Sequence, residues 1–384
     1  GRPPARLAST AAEAVPSSSS SLSVYEFEGL RVIELSRVEE LNSLDMELAG
    51  ELNRMLAKWE DNAMVSSVVL RGDQGCFCGG TDLDWLRMNR DAAPELYGAL
   101  ADLYLRISTY RKPVVSLASG TIAGGGLGLA NTPFSVATEK TTFSVSEPSF
   151  GLVPDGSVLH MLANADKESG VPVGRYLALT GAPIIGADMA RFSLLPYFVP
   201  DVSLDDLVAQ LSSLSSLSSA RQPDLRRALT LFSEEGPNTE GLELADLPPS
   251  LLADEVAHSG GEAEAWTRKE TEAVAACFAH NSVEAIWSSL EARSGSSEWA
   301  RSTLEQMSRA HPAALKATLR LMDGCARRPL SEAVDLTIAV AARISNESGF
   351  DGAIAHAENG TAPEPITLKD LEEVPDESID ALFK

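Results

Sequence analysis

Over its first two hundred residues the chain switches repeatedly between two hydrophobic rhythms. Residues 24–27 and 30–35 are short apolar runs separated by Glu28-Gly29, the pattern of a β-hairpin. Leu44, Leu48, Leu52, Met55, Leu56 and Trp59 then recur at helical spacing, with Asn42-Ser43 placed to cap the helix start. Residues 67–70, closed by the turn Arg71-Gly72-Asp73, and residues 113–118 are unbroken apolar runs of buried-strand length. Helical spacing returns at 83–88 and 94–110, strand-like runs at 134–138 and 142–145, and a further helix at 170–180. Residues 194–199 read as a strand or a crossing segment. Strands alternating with helices predict an α/β core with parallel strands, assigned to residues 23–202.

From residue 203 the character changes. Residues 211–219 carry Ser at most positions and 234–250 are rich in Pro and Glu, so 203–263 reads as a linker or elaborated surface region. Successive helical patterns at 264–280, 282–293, 298–310, 312–322 and 331–345 predict a helical C-terminal module, 264–384. Residues 1–22 are rich in Ala, Ser and Pro, with Arg2 and Arg6 and no acid before Glu13. That composition fits the trailing part of a mitochondrial transit peptide, or a disordered arm that a partner holds.

Charge narrows the partners. The chain has 31 Lys and Arg against 55 Asp and Glu, a formal net charge of −24, which disfavours an extensive nucleic-acid surface or an anionic membrane. No apolar run reaches the length of a membrane span. Cys76, Cys78, Cys277 and Cys325 are too few for a disulfide framework, and the Cys76/Cys78 pair lacks a second pair at metal-site spacing, so no metal is expected.

Candidate chemistry begins at Gly124-Gly125-Gly126, which follows the apolar run 113–118 and opens a helical-looking segment. Bare backbone at such a junction either offers N–H groups to an oxyanion or serves as a packing turn. A second glycine turn, Cys78-Gly79-Gly80-Thr81-Asp82, ends another strand-like segment, and the ends of parallel strands are where such sheets bind ligands. Downstream, Glu147 and Asp155 lie across a Gly/Pro-punctuated loop that can bring two carboxylates together. Taken alone, Glu147 also suits a surface loop and Asp155, after Pro154, a helix cap.

Three ordered stretches carry a resemblance: residues 77–82 (Phe-Cys-Gly-Gly-Thr-Asp), 122–128 (Ile-Ala-Gly-Gly-Gly-Leu-Gly) and 146–155 (Ser-Glu-Pro-Ser-Phe-Gly-Leu-Val-Pro-Asp). Together they resemble the crotonase (enoyl-CoA hydratase/isomerase) superfamily, and within it the 3-hydroxyisobutyryl-CoA hydrolase branch. The resemblance runs from about residue 23 to the C-terminus and includes residues 315–320 and 349–352. It implies a crotonase-like ββα spiral core and an acyl-CoA thioester hydrolase of valine catabolism, located in the mitochondrial matrix. Coenzyme A would enter as part of the substrate, with no separate cofactor. The resemblance also implies that the backbone N–H groups of Gly79 and Gly125 form an oxyanion hole, with Glu147 as the catalytic glutamate and Asp155 as the second carboxylate of the hydrolase branch. Hydratases of the superfamily carry another Glu where this chain has Gly128, which favours the hydrolase branch.

Four departures from the family pattern stand beside these matches. Thr81 replaces a Gly or Ala, and Ser119 a His or Asn. Residues 156–160 replace a glycine-rich turn and are expected to crowd the floor of the active site. Residues 354–360 lack the basic side chains associated with the acyl-CoA end. Relatives of this hydrolase also serve as peripheral small-subunit proteins of mitochondrial ribosomes. The alternative function is therefore a catalytically eroded structural component whose partners are other mitoribosomal proteins.

Overall fold

The computed structural model describes residues 13–15, 21–73, 75–216, 222–233, 266–345, 350, 352 and 364–384. Its strands are β1 (Glu13–Val15), β2 (Leu22–Glu26), β3 (Gly29–Leu35), β4 (Val65–Gly72), β5 (Cys76–Cys78), β6 (Val114–Ala118), β7 (Thr121–Ala123), β8 (Val136–Ala137), β9 (Thr142–Ser144), β10 (Ile184–Ile185) and β11 (Tyr197–Phe198). The helices up to residue 232 are α1 (Met46–Glu60), α2 (Leu83–Met88), α3 (Ala93–Thr109), α4 (Gly156–Ser169), α5 (Val173–Thr180), α6 (Gly186–Arg191), α7 (Leu204–Ser216) and α8 (Gln222–Phe232). Those that follow are α9 (Arg268–Phe278), α10 (Val283–Ser294), α11 (Glu298–Ser308), α12 (Pro312–Cys325), α13 (Leu330–Ile344), α14 (Leu368–Glu372) and α15 (Asp376–Leu382). The chain divides into two compact units. The first is Gly1–Asp82, Asp102–Phe143 and Ile185–Ala265; the second is Leu83–Ala101, Ser144–Ile184 and Trp266–Lys384.

The first unit is built on a seven-stranded sheet in the order β1-β2-β3-β4-β6-β8-β11. The expected hairpin is β2/β3, antiparallel with Val24 opposite Ile33, and from β3 onward every pairing is parallel. β6 is buried at all five positions, as a central parallel strand covered on both faces should be. A smaller sheet follows the order β10-β9-β7-β5. Helix α1 buries the stripe Leu48, Leu52, Leu56 and Trp59. Its cap is Asp45, whose side chain accepts from Leu48 N, rather than Asn42-Ser43; Asn42 instead donates through Nδ2 to Cys76 O at 2.7 Å.

The Ser-rich run corrects the linker expectation. Residues 204–216 form α7, which buries Leu204, Leu207, Val208 and Leu211 in the same core cluster as Val32, Val69 and Val115, and α8 adds Leu225 and Leu229. Ser215 Oγ lies 2.7 Å from Ser67 Oγ, so the small side chains allow close helix-to-sheet contact rather than marking a loose segment. Residues 234–250 lie outside the described residues, as does most of the N-terminal arm. Glu13–Val15 of that arm extends the sheet by pairing antiparallel with β2.

The second unit combines the C-terminal helices α9–α15 with α2, the start of α3, and α4 and α5, so it draws in residues 83–101 and 144–184 that the sequence reading assigned to the core. Tyr176 of α5 anchors one end edge-on to Trp266 and Phe278, with ring centroids at 4.9 and 5.2 Å. The other end is clasped by the C-terminus: Lys316 Nζ reaches Glu284, Asp376 and Val374 O at 2.7, 3.1 and 2.7 Å. Among the described residues no helix is long and apolar enough to cross a membrane.

Candidate active site

In the first unit β5 runs parallel to β7, with Cys76 opposite Thr121 and Cys78 opposite Ile122, and each strand ends in a glycine turn. The two turns are pressed together. A Cβ on Gly80, whose φ is +84°, would stand 2.5 Å from Ala123 O and 3.1 Å from Gly125 N. One on Gly126 would stand 2.3 Å from Cys78 O, so neither place tolerates a side chain. Residues Gly124–Ala130 form a fully buried 3-10 helix, so the segment that looked helical is tighter than an α-helix. A Cβ on Gly128 would stand 2.6 Å from Cδ1 of Tyr104. The place where hydratases of the superfamily carry a second glutamate is thus closed by an aromatic ring.

Gly79 does not present its N–H as expected. That group donates to Leu41 O at 2.7 Å, because the loop through Leu41 (φ 53°) and Asn42 (φ 56°) folds over it. The same loop is held by Cys78 Sγ donating to Asn42 O at 3.3 Å. Thr81 behaves differently. It forms a parallel bridge with Leu44 in which Leu44 N donates to Gly80 O (2.7 Å) and Asp82 N donates to Leu44 O (3.0 Å). In extended backbone successive peptide groups face opposite ways, so the Thr81 N–H points away from the Leu44 segment. The Thr81 N–H is thus not spent on the Leu44 segment, whereas the Gly79 N–H is spent on Leu41 O. No side-chain pattern could signal the difference, since it depends on which peptide group a neighbouring loop consumes. Arg37 fixes the register by reaching Asp45 at 3.0 Å, Asp82 at 3.1 Å and Ser43 O at 2.9 Å.

The carboxylates belong to the second unit. Glu147 opens a 3-10 turn, Glu147–Phe150, closed by Gly151 in the left-handed region (φ 71°). The turn is tied to the head of α12, where His311 N donates to Pro148 O at 2.9 Å. Asp155 caps α4: Oδ1 accepts from Ser157 N at 3.0 Å and Val158 N at 3.2 Å. Its other oxygen, Oδ2, is buried without a hydrogen-bond partner among the described residues. Burial pushes the Asp155 carboxyl up to about 6 against the pull of those two backbone bonds. A Cβ on Gly156 would meet Val334 Cα at 2.6 Å, so glycine there lets α4 start directly against α13. Residues 156–160 are thus the first turns of a packed helix, with Ser157 serving the Asp155 cap.

Tyr97 of α3 is a buried side chain that sequence reasoning did not single out. Its phenol is driven far above the ordinary tyrosine range, first by burial and then by the charges of Glu147 and Asp155. Both carboxylates therefore act on one buried hydroxyl, although eight residues separate them (155 minus 147). An aromatic on a helical stripe carries no sequence signal for that role. Residues 354–360, where basic side chains were missed, lie outside the described residues.

With this geometry established, comparison with known proteins is informative. The sequence model of the enoyl-CoA hydratase/isomerase family matches residues 30–383. The chain belongs to the enoyl-CoA hydratase/isomerase family. It is similar to the probable 3-hydroxyisobutyryl-CoA hydrolase 2 of Arabidopsis thaliana, at 29% identity over 311 residues, covering 79% of this chain and 74% of that one. It is 28% identical to the mitochondrial 3-hydroxyisobutyryl-CoA hydrolase of Danio rerio, covering 78% and 72%. It is also 27% identical to the small ribosomal subunit protein mS47 of Neurospora crassa, covering 76% of this chain but 56% of that protein. Among solved structures, an enoyl-CoA hydratase from Rhodobacter sphaeroides superposes with a TM-score of 0.75 at 25% identity, covering 95% of this chain and 97% of that one. A carnitinyl-CoA dehydratase from Mycobacterium thermoresistibile gives 0.77 at 22%, with the same coverage, which shows the shared fold. The crotonase-like α/β architecture expected from the three motifs is the architecture of this family member.

Proposed function

We propose that this family member is an acyl-CoA thioester hydrolase of the mitochondrial matrix, acting on 3-hydroxyisobutyryl-CoA or a similar short acyl-CoA. The reading is carried by Asp155. A buried carboxylate with one oxygen unpartnered weakens a fold, and a neutral Asn would cap α4 equally well. A chain that keeps the charge despite this cost is keeping it for chemistry. Tyr104, closing the place of the second hydratase glutamate, separates this reading from hydration.

Hydrolysis requires a polarised carbonyl, an activated water and a proton for the departing thiolate. In the first unit, Thr81 and Gly125 carry backbone N–H groups of the kind that stabilises an oxyanion. Glu147 takes the proton of the attacking water, whose oxygen bonds to the acyl carbon as the C–S bond breaks. Asp155, which exchanges its proton near neutral pH, protonates the thiolate of coenzyme A; Glu147 then releases its proton to solvent and Asp155 regains one from it. The coenzyme leaves as product and no other cofactor takes part.

A second reading, a structural component of the mitochondrial ribosome, is favoured by the mS47 relative and by the net charge of −24, which repels a polyanionic coenzyme. Release of free thiol from short acyl-CoA substrates by the purified chain separates the two. The hydrolase reading expects release that collapses in Glu147→Gln. A wild-type chain that neither releases thiol nor binds coenzyme A overturns it, and co-sedimentation with mitoribosomal small subunits then supports the structural reading.

A further inference from the structure

Ser119 departs from the family pattern, and the chemistry above gives it no role. It occupies the two-residue turn between β6 and β7, five residues before the first glycine of the donor turn (124 minus 119). Its Oγ donates to Asp201 Oδ1 at 2.5 Å and accepts from Thr138 Oγ1 at 3.2 Å. Asp201 is itself anchored: Oδ2 meets Lys140 Nζ at 2.8 Å, and its N–H donates to Glu139 Oε2 at 2.9 Å. Burial works against its charge, yet the bonds from Lys140 and Ser119 hold the Asp201 carboxyl below the usual carboxylate range. Next door, Thr141 Oγ1 donates to Ala118 O at 2.6 Å and accepts from Thr138 N at 2.7 Å. On the opposite side, Gly120 (φ +85°) lies so close to Gly75 that a Cβ would stand 2.0 Å from Gly75 O, and Thr121 N donates to that oxygen at 3.0 Å.

The turn is therefore pinned from both flanks, and β7, only three residues long, transmits its position to the glycines. We propose that Ser119 is a positioning residue, its hydroxyl bolted to Asp201 so that the β6–β7 turn holds the Gly124-Gly125-Gly126 backbone in the register of an oxyanion hole. Asp201 also opens the 3-10 turn that leads into α7, so the bolt joins the donor turn to the helix packed across the main sheet. The catalytic part of this inference rests on the hydrolase reading; the positional part does not.

Amide hydrogen exchange of the purified chain tests the positional part without any need for activity. In Ser119→Ala and in Asp201→Ala, exchange across residues 124–127 should accelerate about tenfold, while the Ser119→Ala/Asp201→Ala double variant goes no further than either single one. Ser119→Thr, which keeps the hydroxyl, should exchange as wild type does. Unchanged exchange at 124–127 in Ser119→Ala overturns the proposal whatever the activity. If the wild type releases thiol from acyl-CoA, Ser119→Ala should lower kcat about ten- to a hundredfold with KM within about twofold, the mark of misplaced transition-state donors. Equal changes in kcat and KM, or none, overturn the catalytic part. An inactive wild type counts against the hydrolase reading and leaves the exchange result to decide the bolt.

Discussion

The two halves of the candidate chemistry are made by opposite means. The donor turns of the first unit consist of backbone pressed so closely that Gly80 and Gly126 have no room for a Cβ, and their geometry is fixed by shape and hydrogen bonding. The carboxylate region of the second unit contains ordinary side chains in an unfavourable place, with Asp155 Oδ2 buried and unpartnered and the carboxyl pushed up to about 6. Changes in the first region should therefore cost stability before they reveal anything about activity. Changes in the second should cost activity and return stability. That asymmetry distinguishes a structural turn from a strained functional group, and it can be broken in either region.

The largest effect belongs to Gly80→Ala. It combines φ +84° with contact at 2.5 Å to a backbone oxygen that cannot swing aside, so the loss should exceed about 3 kcal/mol. Urea denaturation measures it. A loss under about 1 kcal/mol would show that the two turns are not pressed together as described.

Next come Glu147→Gln and Asp155→Asn, each expected to lower acyl-CoA thiol release by about a hundredfold or more with the fold intact by circular dichroism. If the rate survives in both, the second region is a cap and a loop acid, and the comparison collapses to packing.

How much of this could be read from residues alone differs between the regions in the same way. The apolar runs at 67–70 and 113–118 announced β4 and β6, because a strand buried on both faces has no polar positions to obscure it. The motifs pointed to Glu147, Asp155 and the glycines. They could not show that Leu41 O consumes the Gly79 N–H, that Tyr97 feels both carboxylates, or that one oxygen of Asp155 is left over, since each depends on chain segments far apart in sequence. The Ser-rich α7 was misread because serine is nearly neutral between helix and loop; Leu204, Leu207, Val208 and Leu211, at helical spacing, were the better guide.

Asp155→Asn should also raise stability at neutral pH, by about 1–2 kcal/mol, since it removes the buried charge and keeps an oxygen for the cap. The pH dependence follows from the sign of the shift. A carboxyl with a raised folded-state value binds its proton more tightly in the folded chain, so its contribution is fully present below pH 3.8 and is lost as the pH rises through about 6. Asp166, pushed up to about 7 by burial against the bonds from Gly174 N and Arg175 N, acts the same way over a wider window. The difference in unfolding free energy between wild type and Asp155→Asn should therefore change between pH 4 and 6 and level off above that, leaving the Asp166 part of the slope in both proteins. A difference independent of pH would mean that Asp155 is not buried as a charge.

The smallest effect sharpens the first region by contrast. Gly75 shares the left-handed backbone of Gly80, with φ +79°, yet a Cβ there would meet nothing within 4 Å. Gly75→Ala should cost about 1 kcal/mol, the strain of the backbone alone. Subtracting it from the loss in Gly80→Ala isolates the cost of pushing a methyl group into Ala123 O and toward Gly125 N. If the two substitutions cost the same, backbone conformation rather than close approach sets the glycines, and the region has room for a side chain that the described geometry denies.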